Sequence, residues 1–82
     1  MVRIDITRRF SVQIRKIRSA ADRDSIKKRM RKVVEKPEIG KPMRHDRKGT
    51  REVYVGSYRL AYTYFEKEDV IVFLELYHKD QQ

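Results

Sequence analysis

Val2, Ile4 and Ile6 alternate with polar residues, which predicts a short strand with one buried face. The period then changes. Phe10, Ile14, Ile17 and Ala21 make the apolar stripe of an amphipathic helix, capped by Thr7 and running to about Ser19. Val12 falls on the opposite, exposed side. A second helix is expected to begin at Asp22, whose side chain suits an N-cap, with Asp24 favourable in the first turn. Its inner face is Ile26, Met30, Val33 and Val34. The outer face carries Arg23, Lys27, Lys28, Arg31 and Lys32, with Arg29 near its edge. Pro37 ends this helix, because the residue before a proline is pushed out of helical geometry. Two helices joined by a short link read as an antiparallel hairpin.

Pro37 to Thr50 holds both prolines and almost no large apolar residues, and it reads as a loop. It is basic through Lys41, Arg44, Arg47 and Lys48, with His45 inside it. Loops of this length are often functional. Everything beyond is strand. Arg51 to Val55 and Tyr58 to Phe65 flank Gly56-Ser57, a hairpin turn with glycine in its first central position. Glu66 to Asp69 makes a second polar turn before Val70 to Tyr77, a run with strong β propensity. The predicted class is α+β: an N-terminal strand and a helical hairpin packed on a small, mainly antiparallel curved sheet. Residues 1–82 form a single domain, without repeats or low-complexity tracts.

Strict alternation sorts the sheet into two faces. Val70, Val72, Leu74 and Leu76 are expected under the helices with Leu60, Tyr62, Tyr64, Val53 and Val55. The other face collects Glu52, Tyr54, Arg59, Ala61, Thr63, Ile71, Phe73, Glu75 and Tyr77. Two readings of that face stand side by side. In one, Arg59 pairs with Glu52 or Glu75 across strands and satisfies charge on an open sheet. In the other, Arg59 sits in a groove that receives a phosphate. Ile71 and Phe73 on the same open face would then ask for a cover, either a partner chain or stacked bases.

Charge separates the chain into unlike halves. The formal net charge is +9, and residues 1–51 hold 18 basic and 6 acidic side chains against 3 and 6 in residues 52–82. Such a basic half points to a polyanionic partner, above all nucleic acid. Apolar residues make up 39% of the chain, enough for one thin core and too little for a separate cofactor-binding fold. No apolar run approaches the ~20 residues needed to span a bilayer. There is no long apolar N-terminal stretch to serve as a signal peptide. The absence of cysteine removes disulfide and thiolate-zinc frameworks. A cytoplasmic protein without membrane contact, metal or cofactor is expected.

With these elements in place, the chain resembles the RelE/ParE superfamily of toxins from toxin–antitoxin modules. The resemblance covers nearly the whole chain: the first strand, the helical hairpin ending in EKPEIGKPM, then VYVGSYRLAYTYF and VIVFLELYHKD. Its most specific piece is GSYRLAY, similar to the glycine–x–tyrosine–arginine–aliphatic–x–tyrosine core of these toxins. The resemblance implies a RelE-like fold and, in the RelE branch, cleavage of mRNA in the ribosomal A site without a metal. There the ribose 2′-hydroxyl attacks the adjacent phosphate, and the site must take a proton, return one to the 5′-oxygen and stabilise a dianionic transition state.

Carried over by position, Arg59 aligns with the arginine of the family's central strand and suits the phosphate. His78, in Tyr77-His78-Lys79, matches the tyrosine–histidine pair that ends one branch, with histidine as acid or base. Lys79 takes the basic role that other members give an arginine. RNA backbone contacts are expected from Lys27 and Arg31 on the second helix and from Arg44, His45, Arg47, Lys48, Arg51 and Tyr54. The chain departs from the family where two lysines precede the Gly-Ser turn, since it has Glu52 and Tyr54, and it lacks the C-terminal tyrosine. Glu52 is a candidate base. The alternatives to a ribosome-dependent nuclease are a ParE-like poison of DNA gyrase and a basic binding module of the same fold. The expected partners are an acidic antitoxin, the ribosome with its mRNA, and promoter DNA reached only through the toxin–antitoxin complex.

Overall fold

The computed structural model describes residues 2–43 and 49–81. Strand β1 (Arg3–Ile6) is followed by helices α1 (Arg8–Arg15) and α2 (Ala20–Glu35) and a 3-10 turn at Pro37–Ile39. The short β2 (Lys41–Pro42), then β3 (Thr50–Val55), β4 (Tyr58–Phe65) and β5 (Val70–His78) complete the sheet. A second 3-10 turn spans Lys79–Gln81. The strand order is β1-β5-β4-β3-β2, with β1 parallel to β5 and every other pairing antiparallel. The fold class is therefore α+β, with an open, mixed five-stranded sheet.

Local chemistry sets the helix ends. Thr7 caps α1 as expected, accepting the N–H of Phe10 at 3.1 Å, and its hydroxyl also donates to the carbonyl of Leu74 at 2.6 Å. Helix α1 stops at Arg15, short of Ser19, because its last turn tightens: the N–H of Ile17 bonds three residues back, to Ile14, at 3.3 Å. Ile17 nevertheless stays buried in the link. The N-cap of α2 is Ser19, not Asp22. Ser19 Oγ accepts the N–H of Asp22 at 3.1 Å, which leaves Asp22 in the first turn facing the helix dipole. The guanidinium of Arg23 donates to the carbonyl of Ile17 and clamps the link.

The segment expected to be a loop is partly ordered. Lys41 and Pro42 pair with Glu52 and Arg51 as an edge strand, a place that tolerates proline. Gly40 approaches the sheet so closely that its N–H donates to Tyr62 Oη at 2.9 Å, and a Cβ there would lie 2.5 Å from that oxygen. The Gly56-Ser57 hairpin forms as predicted, with Val55 opposite Tyr58 and Gly56 at φ 59°. In the second turn Asp69 adopts φ 55° and accepts the Tyr64 hydroxyl at 3.1 Å.

The core corrects the expected faces of the last strand. Phe10, Ile26, Val33, Leu60, Tyr62, Ile71 and Phe73 are fully enclosed, with Leu76 beside them. Ile71 and Phe73, assigned to the open face, are core residues, whereas Val70, Val72 and Leu74 are only half-buried. A β-bulge is the cause. Ala61 opposes Glu75 and Tyr62 opposes Phe73, so Leu74 is an extra residue and the alternation resets around it. The bulge lies where β1 ends. Beyond it the Thr7 hydroxyl takes the Leu74 carbonyl, and Gln13 Oε1 accepts the Leu76 N–H at 2.7 Å. The α1 cap and a side chain of α1 itself thus satisfy the β5 edge that β1 leaves uncovered.

Candidate functional site

On the face away from the α2 core, the register builds a small grid. Tyr54, Arg59 and Tyr77 stand opposite one another on β3, β4 and β5, and the next rung is Glu52, Ala61 and Glu75. Arg59 Cζ lies 3.9 Å from the centroid of the Tyr54 ring, a cation–π stack. Its NH1 donates to the carbonyls of Tyr58 at 3.2 Å and Gly56 at 3.4 Å. The Tyr77 hydroxyl donates to Glu52 Oε2. Glu75 is 3.6 Å from Arg9 on α1. Neither carboxylate forms an ion pair with Arg59, so cross-strand charge satisfaction is not what holds the arginine here. Instead an aromatic ring sets its plane and leaves much of the fork available to an anion. Ala61, fully buried between two carboxylates, contributes only a methyl group.

His78 does not join this cluster. It opposes Tyr58, one residue off the Tyr77–Arg59 rung, and alternation turns both rings to the opposite face. The two rings meet edge to face at 5.5 Å. His78 Nδ1 accepts the N–H of Asp80 at 3.2 Å and lies 3.4 Å from its carboxylate. The half-buried imidazole is a fixed part of β5 and not a frayed terminal side chain. Lys79 is exposed and opens the last turn, where its N–H ties the chain to the carbonyl of Ser57 at 2.8 Å.

The predicted backbone contacts divide three ways. Lys27 and Arg31 are exposed on α2 as expected. Arg51 is engaged in structure, donating to the carbonyls of Gly40 at 2.8 Å and Glu38 at 3.2 Å on the helix-facing side. Arg44, His45, Arg47 and Lys48 lie outside the described residues. Tyr77 is the member of the cluster that was not singled out from the sequence. Alternation placed it on this face, but only the cross-strand register brings it to Glu52.

No helix among the described residues is long and apolar enough to cross a membrane. Among solved structures, the chain is similar to the Escherichia coli RelBE toxin–antitoxin complex, with 22% identity, a TM-score of 0.78 and coverage of 93% of this chain and 94% of that one. The RelBE2 complex of Mycobacterium tuberculosis gives 22% identity and a TM-score of 0.83 over 94% and 96%. A YoeB/ParE toxin from Agrobacterium tumefaciens gives 13% and 0.83 over 94% and 98%. These likenesses establish a RelE-like fold. Among curated proteins, none matches the chain. The model of the ParE toxin of type II toxin–antitoxin systems matches residues 4–82, nearly the whole chain. The chain therefore belongs to that family: it is a toxin of a toxin–antitoxin system, of the RelE/ParE superfamily.

Proposed function

We propose that this toxin is a ribosome-dependent endoribonuclease that cuts mRNA in the A site. The observation that carries this reading is the Tyr54–Arg59–Tyr77 rung above Glu52. Cleavage by an internal 2′-hydroxyl needs a phosphate ligand, a base and an acid. The stacked guanidinium of Arg59 takes the phosphate and the charge that develops on it. Glu52, oriented by the Tyr77 hydroxyl, removes the 2′-proton. The 2′-oxygen bonds to phosphorus as the bond to the 5′-oxygen breaks, and the departing oxygen takes its proton from Lys79. The products are a 2′,3′-cyclic phosphate and a 5′-hydroxyl. Lys79 takes the place of His78 as the acid in this reading, because the imidazole is turned away from Arg59.

The net charge of +9 supports docking on ribosomal RNA, which is mainly phosphate neutralisation. Lys27 and Arg31 would share in that grip. The partner that silences the toxin is an acidic antitoxin. The groove between β1 and α2, lined by Ile4, Met30, Val34 and Phe73 and rimmed by Lys27 and Arg31, suits an acidic amphipathic segment. Promoter DNA would be bound only by that complex, in the cytoplasm.

A second reading, poisoning of DNA gyrase, is favoured by the ParE family match. One experiment separates the two. Purified toxin is incubated with mRNA, with and without programmed ribosomes carrying an empty A site, and in parallel with gyrase and supercoiled DNA. Cuts that need ribosomes and vanish in a folded Arg59→Ala variant support the nuclease. Uncut mRNA together with gyrase-trapped DNA breaks would replace it with the second reading.

A further inference from the structure

A cleft lies on the face opposite Arg59, between the α1–α2 link and the end of β5. It has a volume of about 500 Å³, in the range of small-ligand sites. Ile17 and Leu76, 7% and 2% exposed, provide an apolar floor. Tyr58 and His78 form an aromatic wall, and Lys16 and Arg18 bring two cations to the rim. Neither cation is in an ion pair among the described residues. Gln13 uses its carbonyl oxygen on the Leu76 N–H, which leaves its amide N–H groups as donors at the same rim.

We infer that this cleft is a nucleotide-binding site, with a base packed against Tyr58 and His78 and its phosphate on Lys16 and Arg18. An aromatic wall over an apolar floor accepts any base through its π-face, and paired cations accept the phosphate. The neighbouring hollow fixes the orientation. It shares Tyr58 and His78 but is lined by Asp22 and by no cation, so a phosphate is repelled there and drawn to the Lys16 side. Taken with the nuclease reading, on which this extension rests, the occupant is a nucleotide of the RNA being cut. Tyr58 and His78 are the chain neighbours of Arg59 and Tyr77, so a strand bound on the Arg59 face reaches the cleft by rounding the end of β4 and β5. His78 is then a nucleotide-binding residue rather than the acid.

The test uses adenosine 5′-monophosphate and inorganic phosphate as probes and the His78 ring resonances as the readout, in a chain with two histidines. The nucleotide should shift the His78 signals saturably. A Lys16→Gln/Arg18→Gln double variant should weaken its binding about tenfold or more, the equivalent of one charge-assisted hydrogen bond. Lys36→Gln/Lys67→Gln, which removes the same charge from positions outside the cleft, should leave binding unchanged. All four side chains are exposed, so the fold is not at risk. An unmoved His78, equal weakening in both double variants, or phosphate binding as tightly as the nucleotide would each overturn the site. Ribosome-dependent cleavage is assayed separately on the same proteins. Cleavage with an unmoved His78 removes the cleft and keeps the nuclease. A saturable His78 shift in a toxin that cuts nothing keeps the nucleotide site and removes the nuclease.

Discussion

Tyr62→Phe is the most informative single change to the fold. The Tyr62 ring is fully enclosed in the core, and its hydroxyl donates to the Pro37 carbonyl at 2.6 Å while accepting the Gly40 N–H at 2.9 Å. One oxygen thus pins the turn that leads from α2 into β2. Phenylalanine keeps the packing and removes both bonds. The Gly40 N–H, in a buried residue, is left without a partner, a loss of about 1–3 kcal/mol, and the Pro37 bond adds about 1. The expected destabilisation is about 2–4 kcal/mol. For 82 residues the whole stability is on the order of 4–12 kcal/mol, so the loss is a large fraction of it. The melting temperature should fall by roughly 10–20 °C, followed by circular dichroism with urea titrations at fixed pH. There is also an alkaline signature. Burial raises the Tyr62 phenol above its ordinary value, an effect that the Gly40 N–H and the charge of Arg51 only partly offset. Below the unfolded value, near pH 10, this stabilisation is fully present. It is lost as pH climbs through the higher folded value, because the unfolded chain ionises first. The wild type should therefore lose stability more steeply above about pH 10 than the variant does. Tyr64, also raised by burial and by the Asp69 carboxylate, is common to both proteins and cancels. A loss under about 0.5 kcal/mol at pH 7, or equal alkaline slopes, would refute the pinning argument.

Other substitutions test the remaining structure. Ile71→Ala, at a fully enclosed position, should cost about 2–4 kcal/mol in urea unfolding, against about 1 kcal/mol for Leu74→Ala on the bulge. The reverse order would mean that β5 runs in the regular register. Ser19→Ala should destabilise by about 1 kcal/mol in thermal unfolding and Asp22→Ala by a few tenths, and equal losses would return the cap to Asp22. Arg59→Ala should abolish growth inhibition with an unchanged circular dichroism spectrum, and Arg59→Lys should not restore it, since lysine lacks the planar fork and the stack. Tyr54→Ala should weaken inhibition only about 2–5-fold, the value of one exposed cation–π contact, and full activity in Arg59→Ala would remove the whole grid from the mechanism.

Sequence by itself determined the order of the elements other than β2, the Thr7 cap, the Gly56-Ser57 hairpin and the inner face of α2, because each depends on residues a few positions apart. It also placed Arg59, Tyr54, Glu52 and Tyr77 on one face, since alternation along each strand is local. Tertiary structure decided the rest. The bulge at Leu74 exists because β1 ends at Ile6 and the Thr7 hydroxyl then takes the Leu74 carbonyl across 67 positions of sequence. No local pattern carries that contact, and strict alternation therefore buried the wrong half of β5. Arg51 is spent on the Gly40 and Glu38 carbonyls for a similar reason: the acceptors belong to a turn whose place on the sheet is set by Tyr62. Tyr77 meets Glu52 through cross-strand register, a relation between β3, β4 and β5 that no single strand encodes, whereas its separation from His78 follows from alternation along β5 alone.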